Sequence, residues 1–481
     1  NFFNRVLAVL VLCICFLMAS CGVEKEHVHV SFLTLSDTEV ELEAGDIHVL
    51  ECTVSPYNAD NQRIIWSSSD KSVATVKDGV VTAVKAGSAI ITAMSDDNGK
   101  TATCVVKVTD KGGNNGGGEP GIDMASAVNL SSAGTANCYI VSETGLYKFK
   151  AVKGNSDTSV GAVSSVEVLW ESFGTSVAPE SGELVSAVYF QDSYIAFQCH
   201  KIFYEGNAVV AAKDAAGNIL WSWHLWFTDA PQSQTYYNNA GIVMDRNLGA
   251  TSATPGEVGA IGLLYQWGRK DPFLGSSSIH YESMAEAKST ITWPSAVSSD
   301  SSNGTIAYAT ANPTTFIEDN SNNYDWYYTG DSSTDNTRWT TSEISKSIYD
   351  PCPVGWRVPD GDVFAAFDID EAEDLDALAN VRNMYGWHIV DKATGVKMFM
   401  PGAGRRSFET GALTNMNNYG YENVPMPWIG YYWTAGVGVD DKVKARSMFF
   451  DLNTTRAVNN RYEPTKEMYR ANAMQVRCVR E

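Results

Sequence analysis

Between residues 32 and 108, apolar and polar positions alternate in short runs separated by turn residues. The runs at 38–42 and 48–54, with Gly45-Asp46 between them, have the period of two that turns one edge of a strand inward. Further runs fall at 64–70, 73–76, 80–84, 86–93 and 101–108, with turns at Asp78-Gly79 and Asn98-Gly99. This pattern predicts about seven short strands in a small β-sandwich. Trp66 is expected in its core.

A second set of alternating runs covers 138–141, 146–150, 165–170, 184–189, 194–198, 207–213 and 218–227, predicting another antiparallel sandwich over 123–230. Gly217-Asn218 joins the last two runs as a hairpin. In its second strand Trp221 and Trp223 share one face, His224 and Trp226 the other. Aromatic residues on both faces mean that both are covered or that one is a platform; the reading adopted is a strand buried between this domain and the next. His224 has no second ligand at metal spacing and is read as structural.

The pattern then becomes irregular. Pro351, Pro353 and Pro359 each fix φ and remove a backbone donor, so residues 349–360 must form a braced crossing, neither helix nor central strand. Residues 274–347 are rich in Ser, Thr, Asn and Asp but carry interleaved aromatics, including Trp293 and Phe316. Within them Trp326, Tyr327, Tyr328 and Trp339 are the candidate ligand-binding residues, since aromatic faces beside amides and carboxylates suit stacking on sugar rings. The alternative is that they pin the loop. Residues 360–376 hold eight carboxylates and no basic residue, the pattern of a solvated helix face, with Asp368, Asp370 and Glu371 as a weak calcium site.

With 481 residues the chain exceeds one ordinary core and is expected to form about three domains. It has 35 basic and 56 acidic residues, a net charge of -21, which excludes nucleic acid as an expected partner. At the front, Arg5 precedes an apolar run over 6–18 that is too short to span a bilayer. Residues 110–122, rich in Gly and Asn, cannot form a core and are expected to be a flexible linker.

Several stretches resemble known families. Leu17-Met18-Ala19-Ser20 before Cys21 resembles the lipobox of bacterial lipoproteins, which implies a signal peptide over 1–20, lipidation of Cys21 and a tether over 21–29. Glu24, Lys25 and Glu26 resemble the surface-export signal of Bacteroidetes lipoproteins, implying an outer-membrane protein displayed outward. The motifs Trp-Ser-Ser-Ser-Asp, Val-Ala-Thr-Val and Ala-Gly-Ser-Ala-Ile-Ile-Thr-Ala resemble the bacterial Ig-like group 2 domain over 30–109, a spacer on surface proteins. Over 231–481, the segments at 241–250, 264–273, 351–359, 400–405, 431–435, 445–449 and 476–480 resemble the Fibrobacter succinogenes major paralogous (FISUMP) domain. Gly355-Trp356-Arg357-Val358-Pro359, the late Tyr-Trp-Thr and a closing hairpin also resemble the C-type-lectin-like fold. The implied fold class is multidomain and mainly β: two Ig-like sandwiches followed by a loop-rich α+β lectin-like domain. The lectin calcium motifs are absent, since Glu463-Pro464-Thr465 lacks the amide ligand, so no metal or cofactor is expected beyond that weak calcium.

If Cys13 and Cys15 leave with the signal and Cys21 is lipidated, six cysteines remain, two per predicted domain. Thiols that bind metal cluster at short spacings and these do not, so the economical expectation is three disulfides: Cys52–Cys104, Cys138–Cys199 and Cys352–Cys478. Loops of these lengths correspond to about 4 to 5 kcal/mol each in the chain-entropy account.

No Ser-His-Asp, His-Glu-x-x-His or phosphate-loop pattern occurs. Asp245-Arg246 is read as a buried ion pair that fixes loops. The expected function is nonenzymatic: a surface lipoprotein, held to the membrane by lipid on Cys21, that binds a glycan or a host or surface protein. The alternatives are a subunit or tip of a fimbria-like assembly and an enzyme on a formylglycine-generating-type fold.

Overall fold

The computed structural model describes residues 27–109, 123–279, 285–340, 345–369, 384–414, 429–452 and 461–481. Cys21, the signal and export segments, the 110–122 linker, Asp370 and Glu371 lie outside the described residues. The protein is mainly β, in two compact units, Asn1–Gly121 and Ile122–Glu481. Among the described residues no helix is long and apolar enough to cross a membrane.

The first unit is the expected sandwich. Strands Glu39–Glu43, Thr101–Thr109, Gly87–Ser95 and Ile64–Ser68 lie side by side in one sheet. A second sheet holds Ile47–Val49, Val80–Ala83 and Ala74–Lys77, while Phe32–Leu35 pairs with Cys52–Ser55. Alternation puts Ala89, Ile91 and Ala93, with Cys104, Val106 and Val108, into one core. Trp66 packs against this core from a half-buried position. Asp78 and Gly79 both have positive φ, as a two-residue type I′ hairpin turn requires. A Cβ on Gly79 would also lie 2.4 Å from the Leu50 carbonyl oxygen, so only glycine fits there.

The run at 48–54 is not one strand. It breaks at Leu50-Glu51, where Leu50 N–H donates to Gly79 O at 2.8 Å, and the chain changes sheet before Cys52. Cys52 therefore sits on the strand paired with Phe32–Leu35, half-buried, while Cys104 is fully buried on Thr101–Thr109. The two line one core as free thiols, correcting the expected Cys52–Cys104 bond.

In the second unit, one sheet orders Val128–Asn129, Leu146–Lys150, Tyr194–Cys199 and Val185–Gln191. The facing sheet orders Cys138–Val141, Ile219–Phe227, Gly206–Lys213 and Ser165–Ser172. The expected hairpin is present, with Ala208 opposite Leu225 and Val210 opposite Trp223. Period two then divides the central strand: Trp221, Trp223, Leu225 and Phe227 fill the core between the sheets, and Trp226 points the other way. It packs in a separate core with Trp267, Trp339, Trp433, Cys352 and Cys478 from the C-terminal part. The strand is thus covered on both faces.

The same parity removes the expected Cys138–Cys199 bond. Tyr139 and Val141 face the sandwich core that contains Cys199, whereas Cys138 faces the C-terminal layer. Both cysteines are free. Cys352–Cys478 is bonded as expected, its Cα atoms 6.1 Å apart and its partners 126 residues apart.

The C-terminal layer is built from small sheets. One orders Ser233–Tyr236, Gly241–Met244, Val479–Arg480 and Trp356–Arg357; another is the antiparallel set Ile429–Val437, Lys444–Asp451 and Tyr462–Tyr469. The braced crossing supplies only an edge strand, Trp356–Arg357, as its prolines require. The described α-helix of this layer is Ile306–Ala311, capped by Thr305, whose hydroxyl accepts the Tyr308 N–H at 3.0 Å.

Candidate functional site

A groove of about 730 Å³ opens where three segments distant in sequence meet, one of them a hairpin that contributes both its strands. The Asp360-Gly361-Asp362 turn follows the braced crossing. Ala435, Gly436 and Val437 end strand Ile429–Val437, and Arg446 comes from its neighbour Lys444–Asp451. Asn336, Thr337 and Thr340 come from the aromatic loop, with Val439 on the rim.

Local irregularities shape this groove. The ladder between Ile429–Val437 and Lys444–Asp451 shifts register between Trp433 and Val437, which re-aims the strand end. Ala435 N–H donates to Pro359 O at 2.8 Å, and Thr434 Oγ1 donates to Arg446 O at 2.9 Å. Gly361 and Gly436 pack back to back beneath the Arg446 stem: a Cβ on Gly361 would lie 3.2 Å from Arg446 Cδ. Arg357 clamps Asp360 through two hydrogen bonds of 2.7 and 2.6 Å, and Asp362 remains exposed. Asn336 is held by Arg470 Nη2, which donates to its Oδ1 at 2.7 Å. The result pairs an apolar floor with carboxylate, amide, hydroxyl and guanidinium groups at the edge.

A smaller cleft of about 280 Å³ is lined by Phe273, Trp293, Phe316, Glu286 and Arg406, among others. Arg406 pairs with Glu286 and donates to Leu274 O at 2.9 Å, so its charge is already satisfied.

The four aromatics singled out by sequence are not gathered at an opening. Trp326 and Trp339 are both fully buried. Their indole N–H groups donate to Trp267 O at 2.7 Å and Arg269 O at 3.0 Å. Arg338, paired in the interior with Asp325, lies over Trp267, Trp326 and Tyr327, its Cζ 5.0, 4.7 and 5.4 Å from the ring centroids. Stacking on a sugar is therefore closed to Trp326 and Trp339, a correction to the sequence reading. Tyr327 and Tyr328 are half-buried and do not line the groove. Asp368, the described member of the proposed calcium set, has Lys392 Nζ at 3.8 Å.

Other singled-out groups are structural. Arg246 is buried and pairs with Asp245 and Asp229, tying the end of strand Ile219–Phe227 to the following turn. His224 Nε2 lies 2.8 Å from Asn207 Oδ1, while Asn207 Nδ2 donates to Gly249 O at 2.9 Å. The amide oxygen must therefore accept, which makes His224 the Nε2–H tautomer. Burial pushes its pKa down to about 3. In the crossing, buried Asp350 accepts N–H bonds from Cys352 at 2.8 Å and Val358 at 2.9 Å. Lys346 Nζ donates to the carbonyls of Cys352, Pro353 and Trp356. Loss of solvent pushes the Asp350 carboxyl up to about 6.

Residues 29–106 match the bacterial Ig-like domain (group 2). An alpha-L-arabinofuranosidase of Bifidobacterium longum is 42% identical over 82 residues, 17% of this chain and 8% of that protein. A kappa-carrageenase of Pseudoalteromonas carrageenovora is 40% identical over 82 residues, 17% of this chain and 21% of that protein. The chain thus spans about a fifth or less of these relatives. Among solved structures, domains 5-6 of the S-layer protein SbsC are 15% identical with a TM-score of 0.15, covering 41% of this chain and 97% of that one. The N-terminal four Ig domains of Dscam1 are 12% identical with a TM-score of 0.16, covering 40% and 51%. The chain contains a bacterial Ig-like domain within a mainly β architecture.

Proposed function

We propose that the C-terminal layer captures a glycan chain noncovalently in the groove formed by Asn336, Thr337, Asp360, Asp362, Val437 and Arg446. On this reading the Ig-like domain is a spacer, and lipid on Cys21 holds the protein at the outer membrane, facing outward. The observation that carries the proposal is the convergence of three separate segments on one opening of about 730 Å³. That size falls within the range of small-molecule and ligand sites. Sugar rings present C–H faces ringed by hydroxyls; Ala435, Val437 and Val439 suit the first, and Arg446, Asp362 and Asn336 the second. The resemblance of 231–481 to FISUMP and lectin-like domains points the same way.

Assembly by exchange of the last strand is disfavoured. Val479–Arg480 is an inner strand between Gly241–Met244 and Trp356–Arg357, and Cys478 beside it is bonded to Cys352. The test is a glycan array probed with the folded, disulfide-intact protein, with and without calcium. Selective, calcium-independent binding is expected; a blank array would remove the glycan reading.

A further inference from the structure

Outside this groove, His27, His29 and Asp97 bring one ligand atom each to within 4.8 Å of one another, at the edge of the Ig-like unit. Their placement follows from the chain. Residues 27–30 lead into strand Phe32–Leu35, and the rings of His27 and His29, two positions apart, lie together. This segment is stitched down along its length. Val28 N–H donates to Asp60 Oδ2 at 2.8 Å, Asp60 N–H to Val28 O at 3.0 Å, and Asn98 Nδ2 to Val30 O at 2.7 Å. Asp97 sits in the turn between Gly87–Ser95 and Thr101–Thr109. Its carboxylate accepts the Val30 N–H at 2.8 Å and faces His29 Nδ1, at 3.0 and 3.1 Å from its two oxygens. The His27 and His29 rings lie 4.5 Å apart between centroids.

We infer that His27, His29 and Asp97 form a binding site for a divalent first-row transition metal of the zinc class. Two imidazoles and one carboxylate are a common zinc donor set, leaving a fourth position for water. Ligand atoms about 2.0–2.1 Å from a tetrahedral ion lie roughly 3.3 Å from each other. The His29–Asp97 separation already approaches that value, and only the exposed His27 ring has to swing in. Asp97 is fixed by the Val30 amide, so one ligand is preorganised. The ion would clamp residues 27–30 onto the 95–101 turn. This inference is independent of the glycan groove.

The test is zinc titration of the tag-free full chain by calorimetry, with thermal melting in zinc and in EDTA. One zinc per chain is expected, with a melting temperature raised by zinc and restored by EDTA. His27→Ala removes an exposed ring whose described contact is His29, so its metal-free melting temperature is expected to stay at the wild-type value. Its zinc affinity should fall at least about tenfold, as should that of Asp97→Asn. Equal zinc binding by wild type and His27→Ala would overturn the inference, as would no binding by the wild type at 0.1 mM zinc, a concentration of about 10^-4 M, well above that of a protein zinc site.

Discussion

Gly361 and Gly436 touch backbone to backbone: a Cβ added to Gly436 would stand 2.3 Å from Gly361 Cα. No flexible side chain can yield at that point, so the turn after the crossing and the end of strand Ile429–Val437 must separate. Gly436→Ala is therefore expected to cost roughly 1–3 kcal/mol, the range for overpacking, and to weaken ligand binding together with stability. Equilibrium denaturation beside a binding assay checks this. An alanine variant of wild-type stability would show that the contact is slack.

Trp326 and Trp339 are expected to behave as core residues. Replacing either with Ala should cost about 3–5 kcal/mol and abolish binding only by unfolding. Tyr328→Ala, at a half-buried site off the groove, should leave binding unchanged. Urea denaturation of the three variants distinguishes this from direct stacking, in which binding would be lost from a protein of normal stability.

The cysteines yield a chemical count. In denaturant without reductant, alkylation should label Cys52, Cys104, Cys138 and Cys199 and spare Cys352 and Cys478. Peptide mass spectrometry reads the pattern. Loss of the Cys352–Cys478 bond through a double alanine variant should cost roughly 5 kcal/mol, given its long loop. A Cys138–Cys199 bond would contradict the opposed faces of strand Cys138–Val141.

Two buried groups set opposed pH trends. Asp350, with its folded pKa raised to about 6, binds its proton more tightly in the folded state, so its contribution falls as pH rises from about 4 to about 6. His224, with its folded pKa lowered to about 3, must charge on unfolding, so its contribution is lost as pH falls from about 6.5 toward 3. Relative to Asp350→Asn, the wild type should therefore lose about 2 kcal/mol between pH 4 and pH 6. Urea denaturation at both pH values measures it; a constant difference would show that Asp350 titrates normally.

Much of this architecture could be read from alternation. The strands of the Ig-like unit, the Asp78-Gly79 hairpin and the double-faced aromatic strand follow from period two and turn chemistry. The Cys352–Cys478 bond followed from the braced crossing and the last strand. What escaped was parity and long-range assembly. Cys138 and Cys199 share a region of sequence but not a face, and the sheet change at Leu50-Glu51 separates Cys52 from the strand it seemed to continue. A run of polar residues around Trp326 and Trp339 suggested exposure, although Asp325 and Arg338 carry that polarity into the interior as a pair. Arg446 lies within the 445–449 motif that resembles the FISUMP domain, but its meeting with Gly361 and Asn336 depends on contacts roughly a hundred residues apart.

The most direct test of the groove is calorimetric titration of the best array glycan into wild type, Arg446→Ala and Asp362→Asn, with melting temperatures measured alongside. Both side chains line the groove; melting is expected to stay unchanged in Asp362→Asn and to fall slightly in Arg446→Ala, whose stem packs on Gly361 and Gly436, and both folded variants should bind at least about tenfold more weakly, from one lost charged hydrogen bond. Wild-type affinity in both folded variants would place the ligand elsewhere and contradict the account.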